Sequence, residues 1–201
     1  MGLREQKKAD TRAALSWAAI RLTVERGFDN VKVEDIAEAA GVSPRTFNNY
    51  FSSKGEAIVA RQVDRVLRVA QALRERPPEP LWEAITHAAL AQFGPDAETA
   101  AHPIPDPGRW VAGVRMMIAE PALQGEMLRA GALAEAEIAA AVAERTGTDL
   151  KQDLYPHLVA AAVVAATNAA VAHYLRTDPP VPVERLLTDA FAQIAAGLPI
   201  P

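Results

Sequence analysis

Residues 33–54 read VEDIAEAAGVSPRTFNNYFSSK, and this stretch decides the fold. Val33, Ile36, Ala40 and Val42 are apolar at the spacing of one short helix face and its exit. Ala37 is small where two helices must nearly touch, and Gly41 stands where the connecting turn wants a positive φ. Ser43 offers a side-chain oxygen to cap the next helix, and Pro44 fills its first turn, where a missing N–H costs nothing. Phe47, Tyr50 and Phe51 would anchor that second helix from behind. Arg45, Thr46, Asn48 and Asn49 stay outside, all able to hydrogen-bond base edges or phosphates. A helix-turn-helix that reads duplex DNA is the expectation.

The motif resembles that of the TetR family of bacterial transcriptional regulators. The resemblance includes a preceding helix ending in Glu25-Arg26-Gly27-Phe28 and covers about the first quarter of the chain. Two positions depart from the family pattern. Asn48 stands where an aromatic is usual before the Asn-Tyr-Phe end, and Lys32 replaces the usual capping threonine. Lys32 keeps a charge for phosphate but loses the cap. The resemblance further implies that Lys54, at the start of the long fourth helix, touches the DNA backbone.

Outward from the motif, residues 4–26 read as one helix with Ala13, Trp17, Ile20 and Val24 on a face. Ser53-Lys54-Gly55-Glu56 has capping-box spacing and opens a helix to about Arg76. Pro77-Pro78-Glu79-Pro80 is a hard break, and Leu81–Phe93 is the next helix. Residues 94–108, rich in proline, read as a loop. Helices follow at about 109–119, 121–145, 150–176 and 183–197. The fold class is all-α: a three-helix head over residues 1–52 and a larger body over 53–201, about nine helices in all.

Composition bounds the rest. Half of the 201 residues are hydrophobic, enough for a sizeable core, and there is no cysteine. The net charge of −4 is unevenly spread: residues 1–60 hold nine basic and eight acidic residues, and the remainder twelve and seventeen. Acidic charge thus lies away from the expected DNA end. No stretch resembles a signal peptide, and the longest apolar run, Leu158–Ala166, is too short to span a bilayer. A cytoplasmic protein with no membrane partner is expected.

The body is expected to dimerise and to hold a small, largely hydrophobic effector, as the family resemblance implies. Leu187, Phe191, Ile194 and Leu198 form one stripe of the last helix. Ala162, Ala166, Ala169 and His173 form a small-residue face on the helix before it. Together they are the expected homodimer interface, although both stripes equally suit the subunit's own core. Trp82 and Phe93 share one helix face, while Trp110, Val114 and Met117 share another; they suit either an apolar pocket or solid core. His157 and Asn168 lie about 20° apart around their helix. They could orient a polar ligand end, or His157 could be a satisfied buried histidine or a surface residue.

Catalytic constellations are missing from the sequence. The four histidines show no metal-ligand spacing, and no phosphate loop or nucleophile elbow occurs. No metal, cofactor or enzymatic activity is expected. The reading is a homodimeric repressor on a near-palindromic double-stranded operator, released by its effector. Two alternatives stay open: a regulator with no small-molecule effector, and a hydrophobic-ligand sensor or carrier with a degenerate head, which the departure at Asn48 favours.

Overall fold

The computed structural model describes residues 2–93, 104, 106–178 and 181–200. Among them are nine α-helices and no strand: α1 (Leu3–Arg26), α2 (Val33–Ala39), α3 (Pro44–Asn48), α4 (Lys54–Glu75), α5 (Leu81–Leu90), α6 (Pro107–Ile118), α7 (Pro121–Thr146), α8 (Tyr155–Arg176) and α9 (Val183–Ala195). A short 3-10 turn, Phe28–Asn30, links α1 to α2. The chain forms two compact units, Met1–Gln62 with Pro95–Ala130 and Val63–Gly94 with Gly131–Pro201. Helices α4 and α7 contribute residues to both.

Most helix boundaries fall where local chemistry puts them. Gly41 at φ 68° has the positive φ expected of it, and Gly27 ends α1 at φ 82° and ψ 153°. Helix α3 stops at Asn48, so Tyr50 and Phe51, read from the sequence as anchors of this helix, lie just beyond it. The Asn49 and Tyr50 amides donate to carbonyls three residues back, Thr46 at 3.1 Å and Phe47 at 2.9 Å, which tightens the last turn. Helix α6 starts earlier than expected, because Asp106 caps it by accepting from the Arg109 amide at 3.0 Å with Pro107 in the first turn. The remainder of the expected 94–108 loop, apart from Ile104, lies outside the described residues. Helix α8 starts at Tyr155 rather than Leu150. The Asp149 carboxylate accepts from the Lys151 amide at 2.7 Å and folds residues 149–154 into a turn.

In the first unit, α1 is buried on nearly every side from Leu15 to Thr23, with Arg21 the exception, rather than along a single stripe. Leu15, Ala19 and Leu22 meet Ile36, Ala37, Phe47 and Phe51 in one core. Helix α6 packs on another side of α1, with the Trp17 and Trp110 ring centroids 5.4 Å apart and the Arg61 guanidinium 4.9 Å from the Trp17 ring. Gly113 makes this approach possible. A β-carbon there would lie 2.6 Å from Val24 Cγ1 and 2.8 Å from the Val24 carbonyl oxygen.

The second unit has its own core. Leu73, Ile85, Val142, Val159, Ala166, Leu187 and Phe191 lie at its centre, and Trp82 packs on Phe191 at 6.4 Å. The proline break after α4 falls inside this unit. There the Arg145 guanidinium donates to the carbonyls of Leu73, Arg76, Pro77 and Glu79, at 2.6 to 3.4 Å. These carbonyls belong to a helix end and a proline-rich segment, where regular backbone partners run out. Arg145 satisfies them from one planar group.

Gly113→Ala tests the close approach in the first unit. The methyl would meet backbone as well as a side chain, so overpacking should cost about 1–3 kcal/mol. That outweighs the roughly 0.5–1 kcal/mol that alanine gains over glycine in a helix. Denaturation at fixed protein concentration should give a lower midpoint, and Val24→Ala should restore only part of it. A variant as stable as the parent would remove the constraint.

Candidate nucleic-acid interface

The interface begins with a cap. Ser43 Oγ accepts from the Thr46 amide at 3.1 Å and lies 2.9 Å from Thr46 Oγ1, so helix α3 starts at Pro44 as its sequence requires. Phe47, on the inner face, is fully buried, and Phe51 just beyond the helix is nearly so; their rings are 5.7 Å apart. Tyr50 packs partly buried on the same core. With that side anchored, Pro44, Arg45, Asn48 and Asn49 are exposed together and Thr46 is half-buried. Arg45, Asn48 and Asn49 have no ion pair or side-chain hydrogen bond among the described residues. The outer face is therefore a short, polar, cationic surface with free donors and acceptors.

Lys32 is exposed at the start of α2. Its side chain has no oxygen with which to cap, but the other half of a capping box survives: Asp35 Oδ2 accepts from the Lys32 amide at 2.8 Å. The ammonium is left at the helix end.

Lys54 opens α4 and is engaged within the protein. Its ammonium donates to the carbonyls of Phe28 at 2.6 Å and Val31 at 3.0 Å, and sits 3.9 Å from the Phe28 ring centroid. The start of α4 is thereby tied to the turn between α1 and α2. One of its three N–H donors remains.

Helix α4 has a second fixing at its start. The Glu56 amide donates to Ser53 Oγ at 3.0 Å, the expected half of a capping box. The Glu56 carboxylate reaches one residue further back than expected, accepting from both the amide and the hydroxyl of Ser52 at 2.7 Å. Those Ser52 bonds, hydroxyl first and amide second, hold the Glu56 carboxyl below the ordinary glutamate range; Arg12 and Arg129 add to this, and partial burial opposes it.

The residues expected to hold an effector divide between the two units. Trp110 and Met117 pack on the first unit's core, which contains α1. Val114, half-buried on the same helix, also belongs to that unit. Trp82 and Phe93 belong to the second unit, where the Arg65 guanidinium lies 4.5 Å from the Phe93 ring. His157 and Asn168 do share a helix face, but that face is exposed. His157 Nε2 lies 2.8 Å from the Leu150 carbonyl oxygen, which fastens the turn before α8.

The expected dimer residues also divide. Leu187 and Phe191 are fully buried, Ala166 is nearly so, and Ile194 packs against the same core. Surface already covered by the subunit itself cannot meet a second copy, so Leu187, Phe191 and Ala166 are core residues. His173 and Leu198 are exposed. One uncovered apolar surface among the described residues is the other side of α8, with Leu158, Ala165, Ala169 and Ala172 exposed beside Asn168 and His173. Helix α8 has 22 residues, and its most apolar window reaches a mean hydropathy of 1.7 with only 33% of that window buried. By length and composition it could cross a membrane, because frequent alanines extend the short run seen in the sequence.

Residues 17–60 match the family described as bacterial regulatory proteins, tetR family, and residues 79–199 match the MftR C-terminal domain. The chain is 33% identical to the HTH-type transcriptional regulator TcmR of Streptomyces glaucescens, over 88% of this chain and 79% of that protein. It is 31% identical to the putative mycofactocin biosynthesis transcriptional regulator MftR of Mycobacterium tuberculosis, over 96% of this chain and 93% of that one. Among solved structures, the fatty acid degradation regulator FadR from Bacillus halodurans superposes with a TM-score of 0.61 at 15% identity, covering 95% of this chain and 97% of that one. At that identity the likeness concerns the fold.

Glu56→Gln isolates the charge at the start of α4. A carboxyl held below its unfolded value stabilises the fold above the ordinary glutamate range and loses that contribution as pH falls through the lowered value. The parent should be more stable than the variant at neutral pH, with the difference shrinking on acidification. A difference that is the same at neutral and strongly acidic pH would mean the bonds to Ser52 do not depend on charge.

Proposed function

Since the chain belongs to the TetR family of bacterial transcriptional regulators, we propose that it is a homodimeric cytoplasmic repressor released from its operator by a small, largely hydrophobic effector. The observation that carries the reading is the capped α3, with Arg45, Asn48 and Asn49 free on the face opposite a buried Phe47. A helix anchored this way enters a major groove as a rigid unit. Arg45 pairs with guanine, its fork matching two acceptors, and Asn48 and Asn49 meet neighbouring base edges or phosphates. Thr46, Ser43, Pro44, Tyr50 and Lys32 lie along the flanking backbone, and Lys54 adds the one donor it does not spend on Phe28 and Val31.

Two recognition helices on one duplex require two-fold symmetry, with half-sites about 34–36 Å apart. The exposed side of α8 is the surface we assign to the second copy. Its alanines allow two helices to approach closely, and covering it removes apolar surface that one subunit leaves in water. An effector in the body lowers operator affinity by its differential affinity for the two head separations, with α4, common to both units, as the connection.

Selection from a random duplex pool at near-physiological salt should enrich a near-palindrome with half-sites about 10 base pairs apart. No enrichment from a folded dimer would favour the hydrophobic-ligand sensor or carrier with a degenerate head. On the selected site, Arg45→Ala should lose about 1–3 kcal/mol and relax one base position in each half. Unchanged base preference would remove Arg45 from the reading surface.

Ala169→Glu should convert the dimer to monomer in sedimentation experiments and weaken operator binding, because like charges would be buried where two copies of α8 meet. A variant that remains dimeric would move the interface elsewhere.

A further inference from the structure

The first turns of α1 carry charge that the free protein does not use. Every residue from Gly2 to Asp10 is exposed, and the buried part of α1 begins at Leu15, so this end of the helix extends beyond the core. It stays helical through its own polar links. Glu5 Oε2 accepts from the Gly2 amide at 3.1 Å, Gln6 donates to Asp10 at 2.8 Å, and the Thr11 hydroxyl donates to the Lys7 carbonyl at 2.9 Å. Both acidic side chains are occupied in these links, while Arg4, Lys7 and Lys8 have no ion pair among the described residues.

At about 100° per residue, Lys7, Arg4, Lys8 and Arg12 occupy one arc of about 140°, flanked by Asp10 about 60° beyond Lys7 and Glu5 about 20° beyond Arg12, whose carboxylates are taken up in the links above. This arrangement works against the isolated helix. Arg4 repels Lys7 and Lys8 at the i,i+3 and i,i+4 spacings, and cations in the first turns oppose the helix dipole. Residues 2–12 hold four basic and two acidic residues in a chain whose net charge is −4. Arg4, Lys7 and Lys8 are exposed with no ion pair among the described residues, so their charge is available to an anionic partner.

Arg12 fixes where the stripe begins. Its guanidinium lies 4.7 Å from the centroid of the Phe51 ring, and its charge acts on Glu56 at the start of α4. The stripe therefore starts beside the turn that leaves α3 and continues through Lys8, Lys7 and Arg4, about 6–12 Å further along the axis of α1. Its inner end lies at Phe51, three residues beyond the end of α3, and it is of opposite sign to the duplex.

We propose that the N-terminal turns of α1 form a second DNA-contact element, in which Arg4, Lys7 and Lys8 bind backbone phosphates flanking the half-site read by α3. The inference rests on the DNA-reading role proposed above. The contacts carry no base information; they add affinity and lengthen the footprint.

The full-length Arg4→Gln/Lys7→Gln/Lys8→Gln variant tests this, since glutamine keeps helix propensity at exposed sites. Duplex affinity would be measured between roughly 50 and 200 mM salt for parent and variant, on the selected operator and on a random duplex. The slope of log affinity against log salt should fall by about 0.9 for each phosphate contact removed, on both duplexes. The selected sequence should be unchanged, and backbone cleavage should show protection lost only at the outer edges of each half-site. Equal slopes and footprints for parent and variant would overturn the inference while leaving α3 as the reader. If the parent selects no sequence, the base-reading proposal fails, and a reduced slope on random duplex would still support the phosphate contact. A parent with no salt-dependent duplex binding overturns both.

Discussion

The Lys54 ammonium closes the DNA-reading unit. It lies over the Phe28 ring and donates to two carbonyls, Phe28 and Val31, that flank the turn between α1 and α2. Hydrogen bonds from a charged donor contribute about 1.5–3 kcal/mol each, and here both are made by the first residue of α4. The C-terminal end of α1 and the N-terminal end of α4 are held at a fixed distance by this one side chain. Helices α2 and α3 are strung between them, so their freedom is limited at both ends. The Ser43 cap and the buried Phe47 then set the axial start and the rotation of α3. Rigid placement matters because a bidentate contact to a base tolerates little misalignment.

Charge serves three different purposes within about the first sixty residues. Lys54 is spent on structure, and Arg12 lies on Phe51 where it also favours ionised Glu56. Arg45 and the cations of the first turns of α1 are left to solvent. Their sequence neighbourhoods give little hint of which will be which. A lysine ammonium becomes structural when the fold brings unsatisfied carbonyls within reach, as the 3-10 turn does for Lys54 and as the proline-rich segment after α4 does for Arg145. Arg4, Lys7, Lys8 and Arg45 are exposed and have no ion pair among the described residues.

The head was legible because its signals are local. Gly41, Ser43 and Pro44 each act within a few residues, so the turn, the cap and the first helical position follow from the order of residues alone. Asp106-Pro107 uses the same grammar as Ser43-Pro44 and opens α6 in the same way, but the surrounding prolines and glycines hid it. The contact of α1 with α6 left no comparable trace. Gly113 in the middle of a helix reads as a weak helix former until Val24 is seen against it. Trp110 reads equally as a pocket wall or as core until Trp17 is found 5.4 Å away.

The sequence by itself determined an all-α chain with a helix-turn-helix, the outward residues of α3 and the positions of most helix ends. Each of these depends on interactions spanning one or two helical turns. Only the tertiary structure decided which sides of α8 and α9 are core. In α9 one stripe is clearly apolar, and it proved to be the stripe this subunit buries, with Leu187 and Phe191 at its centre. Helix α8 is apolar around most of its circumference, so periodicity cannot choose a side; Val159, Val163 and Ala166 turn inward and Ala165, Ala169 and Ala172 outward because α9 and the second unit's core cover only one of them. A residue's apolar character sets that it gains from burial, while the arrangement of neighbouring helices sets whether its own subunit supplies the cover.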